Sequence, residues 1–106
     1  MIEELTPAEY LRRLESGELW QLVDVREPWE IETARLDKTI NIPMRDVPSR
    51  HTELDPARPV AVICHTGGRS ARVAGYLAAV GFPRVANIAG GIEAWSRDVD
   101  PSIPRY

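Results

Sequence analysis

The chain reads as an α/β protein built on a parallel sheet with helices on both faces. Three observations predict this. Short apolar runs with the character of buried strands, such as Val60-Ala61-Val62-Ile63, alternate with stretches of helical spacing, such as Val73, Ala74, Leu77 and Ala78. Glycine, proline and aspartate mark the junctions between them. Asp24, Cys64 and Gly90 each fall at the carboxyl end of a strand, the edge along which such sheets build their sites.

Thr6-Pro7-Ala8-Glu9 opens the first helix, with a threonine N-cap, proline at the first helical position and a glutamate spaced for a capping box. Leu11 and Leu14 supply its apolar face, and Gly17 ends it. Leu19 to Val25 follows as a strand, with Asp24 near its end. Glu27-Pro28-Trp29-Glu30 opens a short helical turn, its acids and proline placed as helix polarity prefers. Thr39 to Ile42 is a second short strand, closed by Pro43. Met44 to Leu54 is polar and weakly periodic, a short helix interrupted near Pro48. After the Asp55-Pro56 turn comes the strand Val60–Ile63, then a long helix that ends at Gly81. Val85 to Ile88 is a further strand, and Gly90-Gly91 leads into a final helix around Ile92 to Trp95. Residues 98–106, with Pro101 and Pro104, read as an extended surface tail of a single domain spanning 1–106. Trp20, Trp29 and Trp95 are expected in the core or at its edge, and His51 in solvent.

Composition narrows the class. Thirteen basic against sixteen acidic residues leave a net charge of −3, which argues against a nucleic-acid binder. A single cysteine excludes an internal disulfide and any multi-cysteine metal site, and the two histidines, His51 and His65, supply too few ligands for a zinc centre unless carboxylates are added, so neither metal nor cofactor is expected. No apolar run approaches membrane-spanning length and no leader pattern opens the chain, so no membrane partner and a cytoplasmic location are expected.

The chemistry points to Cys64-His65-Thr66-Gly67-Gly68-Arg69-Ser70, a strand-to-helix loop. Its glycines let the backbone approach a bound atom closely, successive N–H groups can line an anion nest, and the helix N-terminus adds partial positive charge. A core cysteine has no use for the glycine pair or for Arg69, so Cys64 is read as a nucleophile in an anion cradle. Arg69 sits where positive charge is disfavoured unless an anion compensates it. His65 is read as solvent-facing or substrate-selecting, Thr66 as lining the loop, and Ser70 as a helix-start hydroxyl within reach of the thiolate. Asp24 and Arg26 are read as an ion pair at a strand end, and Glu27 and Glu30 as ordinary first-turn acids.

Four pieces carry a family resemblance: Asp24-Val25-Arg26-Glu27 with Glu30-Ile31, Ile40-Asn41-Ile42-Pro43, the loop from Cys64 to Ser70, and Gly90-Gly91-Ile92-Glu93-Ala94-Trp95. In this order they resemble the rhodanese-like domain family of single-domain sulfurtransferases. One stretch departs: Ala34-Arg35-Leu36-Asp37-Lys38-Thr39 stands where the family shows Gly-His-Ile-Pro-Gly-Ala. The resemblance implies a five-stranded parallel sheet flanked by helices, with Cys64 carrying sulfur as a persulfide. It further implies that His65, Thr66, Gly67, Gly68, Arg69 and Ser70 bind the donor while Asp24 and Arg26 brace the loop. The partners it implies are a small-molecule sulfur donor such as thiosulfate and a thiol or cyanide acceptor, or a sulfur-accepting protein. Two alternatives share the fold: a cysteine phosphatase or arsenate reductase, which the six residues from Cys64 to Arg69 fit poorly, and a non-catalytic binding module or sulfur carrier.

Overall fold

The computed structural model describes residues 2–106. Five parallel strands, β1 (Ile2–Leu5), β2 (Gln21–Asp24), β3 (Ile40–Asn41), β4 (Val60–Ile63) and β5 (Val85–Ile88), form one sheet in the order β1-β5-β4-β2-β3. Between them run α1 (Pro7–Glu15), α2 (Pro28–Thr33), α3 (Val47–Arg50) and α4 (Gly68–Ala79), and α5 (Gly91–Asp98) follows β5. Central β4 pairs with β2 on one side and β5 on the other, so Val62 lies between Val23 and Asn87.

Strand alternation sorts the core into two layers. Val60, Val62 and Cys64 pack with Val73, Ala74 and Leu77 of α4. Ala61 and Ile63 face the other way, toward Tyr10 of α1 and Ile92 and Trp95 of α5. Both faces are therefore covered, as an all-parallel sheet requires. Leu77 has no exposed surface, and burying such a side chain stabilises by about 1.5–3 kcal/mol. The same parity puts Val85 and Asn87 on the α4 side and Ala86 and Ile88 on the α5 side.

Most elements lie where the residues predict them, including the capping box of α1. There Thr6 Oγ1 accepts from the Glu9 amide at 3.1 Å and Glu9 accepts from the Thr6 amide at 2.8 Å. Strand β1 was not readable from the pattern, because Glu3 and Glu4 interrupt its apolar residues; it is recruited as an edge strand by parallel pairing with β5. Pro48 does not interrupt a helix but lies in the first turn of α3, where proline is tolerated. Tyr10 rather than Leu14 is the buried anchor of α1, its ring edge-on to Trp20 and tilted against Trp95. Trp29 is 61% exposed, against the expectation of a place in the core or at its edge, because short α2 turns Glu30 inward instead. His51 is not free in solvent: its ring meets those of Tyr76 and Phe82 edge-on. Residues 98–106 are not the extended surface tail expected: Asp98 closes α5, the chain turns at Asp100, buries Ile103, whose carbonyl accepts from the Ser96 hydroxyl, and returns to the sheet's carboxyl edge with Tyr106.

Candidate active site

The carboxyl ends of β2, β4 and β5 meet at one edge, and Cys64 stands at its centre with only 1% of its surface exposed. The loop that follows is seated on the start of α5. The amides of Ile92 and Glu93 donate to the carbonyls of Cys64 and His65 at 2.9 and 3.1 Å. A side chain at Gly91 would place its Cβ 2.5 Å from both of those carbonyl oxygens, and Gly91 has φ +60°, so the loop and the helix can approach only through glycine. Gly67, at φ +109°, turns the loop into α4, and a Cβ there would press on the Gly90 amide.

With its carbonyls held by α5, the loop can turn amides toward the sulfur. The Gly67 N–H donates to Cys64 Sγ at 3.1 Å, and Ser70 Oγ lies 3.2 Å from it. Among the described residues, no protein acceptor takes up the N–H groups of His65, Thr66, Gly68 or Arg69. The twelve-residue α4 starts at this point, adding the positive end of its dipole. Negative charge on sulfur, or on a group bound beside it, is stabilised here by fixed donors.

Arg69 does meet an anion, and it is a protein carboxylate. Its Nη1 and Nη2 donate to Glu30 Oε1 and Oε2 at 2.7 and 2.8 Å, a two-pronged pair joining α4 to α2. Glu30 also accepts from the Glu27 amide at 3.0 Å and the Tyr106 hydroxyl at 2.8 Å. The Arg69 hydrogen bonds above all hold its carboxyl at about 2, far below the ordinary 4.5. Tyr106 reaches further: its hydroxyl accepts from Arg26 Nη1 at 3.2 Å, and its ring stacks on His65, the centroids 4.0 Å apart and the planes within 8°. His65 is therefore held against an aromatic ring.

Asp24 and Arg26 form a buried pair, 1% and 0% exposed, with Nη2 to Oδ2 at 2.8 Å and Nε to Oδ1 at 3.0 Å. Arg26 Nη2 also donates to the Ala34 carbonyl at 2.8 Å, so the pair ties the end of β2 to the end of α2. Among the described residues neither Asp24 nor Arg26 makes a side-chain hydrogen bond to the sulfur or its loop; Arg26 donates instead to the Tyr106 hydroxyl at 3.2 Å and the Glu30 carbonyl at 3.4 Å. Removing one partner of such a buried pair costs roughly 3–5 kcal/mol.

Three site residues escaped the sequence reading. Glu30 passed as a capping-box acid, and it is one, yet the same carboxylate also holds Arg69. Tyr106 was hidden in the tail. Asn87, whose Oδ1 accepts from Ser70 at 2.5 Å, stood in plain view as the one polar residue of a buried strand.

Fold and site together define a parallel α/β domain with one cysteine set in an anion cradle between strand and helix. The sequence pattern of the rhodanese-like domain matches residues 6–98. A protein named sulfurtransferase from Allochromatium vinosum is 36% identical over 97% of this chain and 96% of its own length. Rhodanese-like/PpiC domain-containing protein 12 of Arabidopsis thaliana is 48% identical over 81% of the chain, which spans only 30% of that longer protein. The crystal structure of a rhodanese-like domain protein from Staphylococcus aureus superposes with a TM-score of 0.81 at 30% identity, covering 89% of this chain and 91% of the other. The chain belongs to the rhodanese-like domain family, and its class of activity is that of the family's sulfurtransferases.

Proposed function

We propose that the protein moves a sulfane sulfur from an anionic donor of the thiosulfate type to a thiol or cyanide acceptor through a persulfide on Cys64. The observation that carries this reading is the seat of the sulfur: Sγ takes a backbone donor from Gly67 and lies against the Ser70 hydroxyl, beside unclaimed amides of the same loop. The Cys64 thiolate attacks the outer sulfur of the donor. The donor's sulfur–sulfur bond breaks, and its electron pair leaves with sulfite. The acceptor's nucleophile then attacks the outer sulfur of the persulfide, and the electron pair of that bond returns to Cys64 Sγ. Loading and discharge are separate covalent steps, so ping-pong kinetics are expected.

The loop amides of His65, Thr66, Gly67, Gly68 and Arg69 would stabilise the charge on the outer sulfur as an oxyanion hole does for oxygen. His65, stacked on Tyr106, and Thr66 line the entrance. Arg69 works mainly as a brace, since its two terminal nitrogens are on Glu30. A phosphatase would need that guanidinium free to clamp phosphate oxygens, so the Glu30 pair supports sulfur as the cargo.

Intact mass after incubation with thiosulfate tests the reading. The wild-type protein should gain one sulfur atom, Cys64→Ser should gain none, and cyanide should remove it. No gain, with hydrolysis of an aryl phosphate instead, would replace sulfur transfer by phosphatase chemistry. No reaction of either kind would leave a binding module.

A further inference from the structure

Asn87 is 4% exposed in the middle of β5, at a position that alternation assigns to the apolar α4 face. A buried amide is tolerated only where its polar atoms are bonded. Its Nδ2 faces the Glu4 carboxylate, at 3.0 and 3.3 Å, and the Gly67 carbonyl at 3.4 Å. Both are acceptors, so the NH₂ group belongs on that side and Oδ1 must face Ser70. Ser70 Oγ then lies 2.5 Å from Asn87 Oδ1 and 3.2 Å from Cys64 Sγ. A hydroxyl has one proton to donate, and here two acceptors compete for it.

We infer that Asn87, anchored by Glu4, is a positioning residue that sets how much of the Ser70 donor reaches the Cys64 sulfur. This builds on Cys64 being the nucleophile. While Cys64 is a thiol or a persulfide, the shorter contact keeps the Ser70 proton on Asn87 Oδ1. When Sγ becomes a thiolate, the Ser70 proton turns to it. That happens when the thiol loses its proton to solvent, or when the persulfide bond breaks and its electron pair returns. The same amide holds the carbonyl of Gly67, whose N–H is the other donor to Sγ. One side chain thus touches both residues that bond the sulfur.

The single cysteine makes the test direct, because the ultraviolet absorbance of thiolate in this chain comes from Cys64 alone. Its titration midpoint is compared in wild type, Asn87→Ala and Asn87→Asp, each with and without Ser70→Ala. Asn87→Ala frees the Ser70 proton for sulfur and lowers the midpoint. Asn87→Asp, a charged acceptor of the same shape, holds that proton harder and also repels the thiolate directly, and both effects raise it. Each shift should be about half a unit to one unit, a threefold to tenfold change in thiolate population. In the Ser70→Ala background the alanine shift disappears, because the proton in question is gone. The charged and titratable groups around the loop and Asn87 (Arg69, Glu30, Asp24, Arg26, His65, Glu93 and Glu4) are the same in wild type and Asn87→Ala, with and without Ser70, so the alanine pair is the decisive comparison, and Asn87→Asp adds one carboxylate to them.

Shifts in the same direction for both substitutions, or an alanine shift that persists without Ser70, would overturn the inference. If Asn87→Ala fails to fold, Asn87→Val suits the strand and carries the same prediction. The titration needs no sulfur donor, so its outcome is independent of whether the mass experiment finds a persulfide.

Discussion

At Gly91 a single methyl group would be enough to unseat the cysteine loop. Its Cβ would lie 2.5 Å from the carbonyl oxygens of Cys64 and His65, and the backbone there has φ +60°. Gly91→Ala is expected to destabilise by about 3 kcal/mol in urea unfolding and to abolish sulfur uptake at Cys64. Gly75→Ala is the control: its Cβ would meet only Ile2 Cδ1 at an ordinary 3.9 Å, within α4, where alanine is the better helix former. Equal losses at the two glycines would show that the loop's seat is not specific. The glycine pair itself was visible in the sequence, because Gly90-Gly91 opens a helix. That Gly91 serves the cysteine, many positions earlier, was not visible, since the clash it avoids is between segments distant in the chain, whereas a side chain at Gly90 would meet only Ala94 of its own helix.

The stretch from Ala34 to Thr39 departs from the family's residues, and its backbone explains how the departure is accommodated. Lys38 stands where the family shows its second glycine, and it is the one non-glycine residue of positive φ, 59°, among the described residues. The turn places a side chain in the left-handed region, with the strain that position carries. Lys38→Gly should therefore raise stability by about 0.5–1 kcal/mol, read as a higher urea midpoint at unchanged slope. A loss would mean that the lysine side chain contributes more than its backbone strain removes. Helices α1 and α4 were readable because spacing, caps and glycine stops are local signals. Helix α2 was readable as a turn, but not as the element that delivers Glu30 to Arg69, since a first-turn acid looks the same whether its partner is its own backbone or a distant guanidinium.

Across the molecule, the Glu30 carboxylate links α2, α4 and the segment ending in Tyr106. Its pH dependence should be felt by the whole fold. The folded carboxyl is held at about 2 against an ordinary 4.5, so unfolding takes up a proton between those values. The stabilisation is complete above about pH 4.5 and is lost as pH falls toward 2. Glu30→Gln should lower the thermal midpoint at neutral pH, and the gap to wild type should close through that acid window. A gap constant with pH would detach the carboxylate's charge from the stability of the fold.

The amino-acid order alone was sufficient for the parallel α/β class, four of the five strands, the main helices and the loop from Cys64 to Ser70. Periodicity, caps and turn residues are written within a few neighbouring positions. It could not supply edge strand β1, the Glu30–Arg69 pair, the Tyr106–His65 stack or the contacts of Asn87 with Ser70 and Gly67. Each of these joins segments far apart in the chain, and each uses a residue whose local pattern has an ordinary explanation. Only when the parallel sheet brings its carboxyl ends together do these side chains come within hydrogen-bonding or stacking distance, and only that packing selects which of their possible partners they take.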